Sequence, residues 1–151
     1  MTKETKLVLL DRIPSPLLIS LATVIFITGG LIYVIFRTKT LYMFSWFNYL
    51  NLGNIVDFLR LNYGTSQINE IIKFCLPDGL WLFSYLLTIK AIHKTDKDVI
   101  TIIFYVSLPV IAIGSEVLQF LNLIPGVFDI YDFTCYICAI ILFYSLNTIK
   151  L

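Results

Sequence analysis

The segment Leu17 to Phe36 contains no Asp, Glu, Lys or Arg. At about 1.5 Å of rise per residue, a helix of that length covers the ~30 Å hydrocarbon layer of a bilayer. Lipid offers no partners to backbone N–H and C=O groups, and a barrel strand needs only ~10 alternating residues, so a run this long crosses as a helix. Three further apolar runs follow. With spans at about 16–36, 74–92, 99–120 and 132–149, the expectation is an all-α integral membrane protein, one membrane domain over residues 1–151, built as a four-transmembrane-helix bundle. Composition agrees: 58% of residues are hydrophobic and 14% charged, against roughly 45–50% and 25% in soluble domains. The mean hydropathy is +0.87. Nothing in the charge pattern suggests a nucleic acid partner; membrane lipids are the expected surroundings.

Lys3, Lys6 and Arg12 precede the first run as they would a secretory signal. The run is long and no small-x-small cleavage site follows, so it reads as a retained first span. Four spans put both termini on one side. That side collects Lys3, Lys6, Arg12, Lys90, Lys94, Lys97 and Lys150, the other Arg37, Lys39, Arg60 and Lys73. The bias predicts cytoplasmic N- and C-termini, with Arg37 and Lys39 counting against it. The segment 40–70 carries Tyr42, Phe44, Trp46, Phe47 and Tyr49, then Ile55, Phe58 and Leu59 beside Asp57 and Arg60. Amphipathic rings favour the membrane–water boundary, so an interfacial aromatic loop or short helix is expected here, either as a plain aromatic belt or as a cap over a site.

Polar residues inside apolar runs are the candidates for function. Between Gly114 and Ala139 the chain places Glu116, Gln119, Asp129 and Asp132. A charged group in hydrocarbon costs roughly 2.5–3.5 kcal/mol on insertion scales, so such groups face protein, a wet cavity or a ligand. On the second span, helical spacing lines up Asp78, Trp81, Tyr85 and Thr88 and leaves Leu80, Phe83 and Leu87 for lipid. On the third, Tyr105, Pro109, Ala112, Glu116 and Gln119 share a face, opposite Ile102, Val106, Val110, Ile113 and Val117. Pro109 is expected to kink this helix, and Ala112 and Gly114 to permit close approach. The fourth aligns Asp132, Tyr136, Ala139 and Phe143. Alternating directions bring Asp78, Glu116, Asp129 and Asp132 to one membrane level. The candidate ligand-binding set is Asp78, Trp81, Tyr85, Glu116, Gln119, Asp129, Asp132 and Tyr136. Asp132 reads equally as a helix N-cap. Glu116 has no cap role near the end of its own helix, and reads either as a buried carboxyl, with Lys73 and Arg60 as available cations, or as part of a polar cavity.

Cys75, Cys135 and Cys138 lie in or near apolar runs and read as small packing residues. His93 reads as a solvated interfacial residue. No metal-ligand spacing, phosphate loop or Ser-His-Asp order is present, so no cofactor, metal or catalytic residue is assigned.

Three motifs nevertheless resemble one family. Asn69 with Phe74-Cys75-Leu76-Pro77-Asp78-Gly79, then Glu116-Val117-Leu118-Gln119, then Phe128-Asp129-Ile130-Tyr131-Asp132 are similar to the ordered motifs of the VanZ-like small bacterial membrane proteins. The resemblance spans roughly Asn69 to Phe143. It departs at Tyr136, where the family has Asn, at Ala139 for Gly, at Val127 for a basic residue, and in the added carboxylate Asp78. It implies a bacterial inner-membrane protein of the cell envelope, in a family whose named member is associated with glycopeptide resistance. The function expected on these grounds is binding of an envelope component, such as a lipid-linked head group, in an outward-facing acidic pocket. The alternative is a non-catalytic accessory subunit packed against a larger membrane protein partner. An enzyme using paired carboxylates comes third.

Overall fold

A computed structural model describes residues 9–65, 68–94 and 98–148. Its elements are α1 (Leu9–Arg12), α2 (Ser15–Phe36), α3 (Tyr42–Tyr49), α4 (Gly53–Tyr63), α5 (Glu70–Phe74), α6 (Leu76–Ile92), α7 (Val99–Phe120) and α8 (Ile130–Leu146), with no strand among the described residues. Lys3, Lys6, Lys97 and Lys150, used in the orientation count, and the end of the fourth expected span at 149 lie outside the described residues.

Among the described residues, two helices are by themselves long and apolar enough to cross a membrane. These are α2 and α7, 22 residues each, with mean hydropathies of 2.4 and 1.9. Inside α2 the hydroxyls of Ser20, Thr23 and Thr28 donate to the carbonyls of Pro16, Ile19 and Val24, which removes their donors from an apolar surround. Helices α6 and α8 have 17 residues each, about 26 Å at the standard rise.

The middle of the molecule is α6, with α2 against one side and α8 against another. It is separated from α5 at Cys75 because Pro77 has no N–H for the Lys73 carbonyl and its ring would press on that group. Being enclosed, α6 buries residues around its circumference, including Leu82, Phe83, Leu86 and Leu87. The expectation that Phe83 and Leu87 face lipid is therefore wrong. The glycines that let helices approach also differ from those expected. A Cβ on Gly79 would lie 3.0 Å from the Cys135 carbonyl oxygen of α8, and one on Gly29 would lie 3.0 Å from Trp81 Nε1, whereas Gly114 has nothing within 4 Å. The core closes with Leu18 of α2 and Phe143 of α8, both 0% exposed.

Helix α7 presents Ile102, Val106, Val110 and Val117 outward, the apolar face that the sequence predicts. It runs as one helix through Pro109. Tyr105 packs its ring 5.8 Å from that of Phe143.

At the end where α6 finishes, Lys90 is buried and pairs with Asp11 at 2.6 Å, and Lys94 Nζ donates to the Ile13 carbonyl at 2.6 Å. Lys90 is thus a structural cation and not a free loop charge. Nor is His93 simply solvated: its Nδ1 lies 3.2 Å from Thr101 Oγ1 and its ring stacks on Phe104. Asp98 caps α7, and hydrogen bonds from the Thr101 hydroxyl and backbone N–H hold its carboxyl below the ordinary carboxylate range.

The segment 40–70 forms α3 and α4. Tyr42, Trp46 and Tyr49, at i, i+4 and i+7, are exposed while Phe44 is buried. Arg60 of α4 donates to the Val34 and Arg37 carbonyls at 2.7 Å each, satisfying groups that the last turn of α2 leaves without intrahelical donors. Arg60→Ala should therefore free the α3–α4 pair from α2, read as faster protease cleavage within 38–64 in detergent. Cleavage at the parent rate would rule out this anchoring.

Candidate functional site

Four helix ends meet on the side opposite Lys90. Arg37 follows α2, Cys75 and Asp78 open α6, Glu116 stands one turn before the end of α7, and Asp129 and Asp132 begin α8. Glu116 is 6% exposed. Its Oε2 accepts the Asp129 backbone N–H at 3.2 Å. The carboxylate therefore supports the N-terminus of the neighbouring helix, where free donors and the positive dipole end favour an anion. The expectation that Glu116 caps nothing holds for its own helix only.

Asp129, not Asp132, is the N-cap of α8, its Oδ1 accepting from the Tyr131 N–H at 2.8 Å. Asp132 lies in the first turn instead; its Oδ1 is buried with no conventional hydrogen-bond partner among the described residues, and the carboxylate's neighbouring donor is the Cys75 thiol. Ligand atoms of Cys75, Asp129 and Asp132 lie within 4.8 Å of one another, close enough to converge on one small cation.

Among the described residues the cation paired in this region is Arg37. Its Nη2 lies 3.7 Å from Asp78 Oδ2 and donates to the Phe74 carbonyl at 3.1 Å. The guanidinium lies over the rings of Tyr33 and Phe74. Lys73 and Arg60, the cations expected from sequence, are engaged elsewhere: Lys73 over the Phe36 ring and Arg60 over the Phe44 ring.

Beside this cluster runs a groove of about 620 Å³ whose walls come from α2, α6, α7 and α8. The α6 stripe Asp78, Trp81, Tyr85 and Thr88 lines it together, as helical spacing predicts, with Phe26, Leu108 and Ile111 on the flanking helices. Trp81 Nε1 donates to the Phe26 carbonyl at 3.3 Å and Tyr85 to the Phe104 carbonyl at 2.7 Å, so both rings are held in place by backbone acceptors. Tyr136 lines the groove and stands within electrostatic reach of Asp78, Asp132 and Glu116.

The candidate set thus divides. Asp78, Trp81, Tyr85 and Tyr136 belong to the groove; Glu116, Asp129 and Asp132 to the carboxylate cluster behind it. Gln119 joins neither, because it lies under the turn at Gly126, whose Cβ would come within 2.7 Å of the Gln119 amide. That turn needs glycine, with φ +137°. Sequence reasoning missed Arg37 and Cys75. Both carried a signal: Arg37 directly follows the first span, at the level reached by Asp78, and Cys75 precedes Asp78 by three residues. No protein-family model, no curated protein and no solved structure matches the chain.

Proposed function

We propose that the chain is a four-span protein of the bacterial inner membrane, VanZ-like, with both termini cytoplasmic. Its acidic outer end receives the head group of a lipid-linked envelope component. The observation that carries this reading is the Asp132 carboxylate, which has one buried oxygen with no conventional donor among the described residues and the Cys75 thiol as a weak donor beside it, next to Asp129. An unmet buried acceptor costs about 1–3 kcal/mol, a cost that a ligand donor would offset. In this reading α6 and α8 are the two further spans. The α5–α6 segment runs from Glu70 to Ile92 with one break, and a bilayer thins locally around a helix a few ångströms too short.

Asp132→Asn keeps the shape and removes the charge. It is expected to leave thermal unfolding in detergent unchanged while abolishing any change in glycopeptide susceptibility that the parent protein confers on cells. A variant that retains the parent's susceptibility would remove the head-group reading. Glu116→Ala is expected to lose both stability and phenotype, because it strips the Asp129 N–H of its acceptor.

A further inference from the structure

We infer that the groove between α2 and α7 binds a single-chain amphiphile with an amine head, the hydrocarbon chain lying along α6 and the ammonium group beside Asp78. The inference rests on the membrane reading above and names the ligand chemistry of its head-group end. Ligand pockets of ~300–1,000 Å³ are mostly apolar with a few polar groups that fix orientation. This groove, about 620 Å³, is built that way: Phe26, Leu82, Leu108 and Ile111 line it, and Asp78 is its carboxylate. Its long walls include α2 and α7, each long and apolar enough to cross a bilayer, so an acyl chain can enter sideways from the lipid.

Two features select an amine. Asp78 is the carboxylate on the groove wall, with Arg37 at 3.7 Å as its paired cation, and Asp132 and Glu116 act on it electrostatically from the cluster behind. Crowded carboxylates favour an added positive charge. Trp81, Tyr85 and Tyr136 all line the groove, and aromatic faces attract ammonium groups. An anionic head would meet Asp78 as repulsion.

The test uses Trp46→Phe protein, in which Trp81 is the one remaining tryptophan of the two in the chain. In maltoside micelles, dibromostearylamine, dibromostearyl alcohol and dibromostearic acid are compared as quenchers of Trp81. The amine is expected to reach half-quenching at about fivefold lower mole fraction than the acid, the gain of one partly screened ion pair. Asp78→Asn should erase that preference, and Ala112→Phe, which fills the groove, should remove quenching by all three. Equal quenching by acid and amine in the parent overturns the inference without recourse to either variant, as does an amine preference that survives Asp78→Asn. Loss of the preference with the Asp132→Asn phenotype still as expected removes only this ligand; an Asp132→Asn variant with the parent phenotype removes the head-group reading itself.

Discussion

Lys90→Ala is expected to destabilise the protein by about 3–5 kcal/mol, the cost of breaking a buried ion pair by deleting one partner. Lys90 is 7% exposed, and its ammonium lies 2.6 Å from Asp11 Oδ1, whose side chain is 23% exposed. Removing the lysine leaves a largely dehydrated carboxylate without its cation, with the nearby Lys94 committed to the Ile13 carbonyl. The loss should fall on the attachment of α1 and the start of α2 to α6. Replacing both partners, Asp11→Leu with Lys90→Met, should recover most of the stability, because the penalty comes from the orphaned charge and not from absence of the pair. Unfolding in detergent, followed by circular dichroism, checks both. A single variant within ~0.5 kcal/mol of the parent, the range of ordinary surface changes, would mean that water reaches this pair.

Gly79→Leu is expected to cost about 3 kcal/mol or more through overpacking. The nearest obstacle is backbone: the Cys135 carbonyl oxygen would stand 3.0 Å from the first added carbon and Cys135 Cβ 3.1 Å from it. A carbonyl in the second turn of α8, fixed in the helix backbone, cannot swing aside as a side-chain tip can, so α8 must move away from α6. That movement would carry Asp129 and Asp132 from Cys75, so stability and the carboxylate cluster should fail together. The control is Gly114→Leu, where the Cβ meets nothing within 4 Å and leucine gains up to ~1 kcal/mol of helix propensity. Comparable unfolding of the two variants would refute the close α6–α8 crossing.

The two glycines show where sequence reading stops. Both stand in apolar helical segments, and local pattern treats them alike; what separates them is which helix lies opposite. The same holds for Phe83 and Leu87, which leave the polar stripe of α6 and so look lipid-facing, yet are covered because a helix lies on each side of α6. The stripe itself was legible, since three- and four-residue spacing alone puts Asp78, Trp81, Tyr85 and Thr88 on one face, and the groove follows that face. The pairing of Arg37 with Asp78 was not. It depends on the chain passing from the end of α2 through α3, α4 and α5 before α6 begins beside Arg37.

By itself the sequence determined the helical character of the chain, the two long apolar helices, the polar faces, and the gathering of Asp78, Glu116, Asp129 and Asp132 at one end. Each follows from a period or a length that covalent geometry imposes. Only the tertiary structure decided that Glu116 supports the start of α8, that Asp129 takes the capping role and leaves Asp132 with an unmet oxygen, and that Cys75 and Arg37 stand among the carboxylates. Those outcomes depend on contacts between segments far apart in the chain, where ångström differences in approach decide which donor reaches which acceptor.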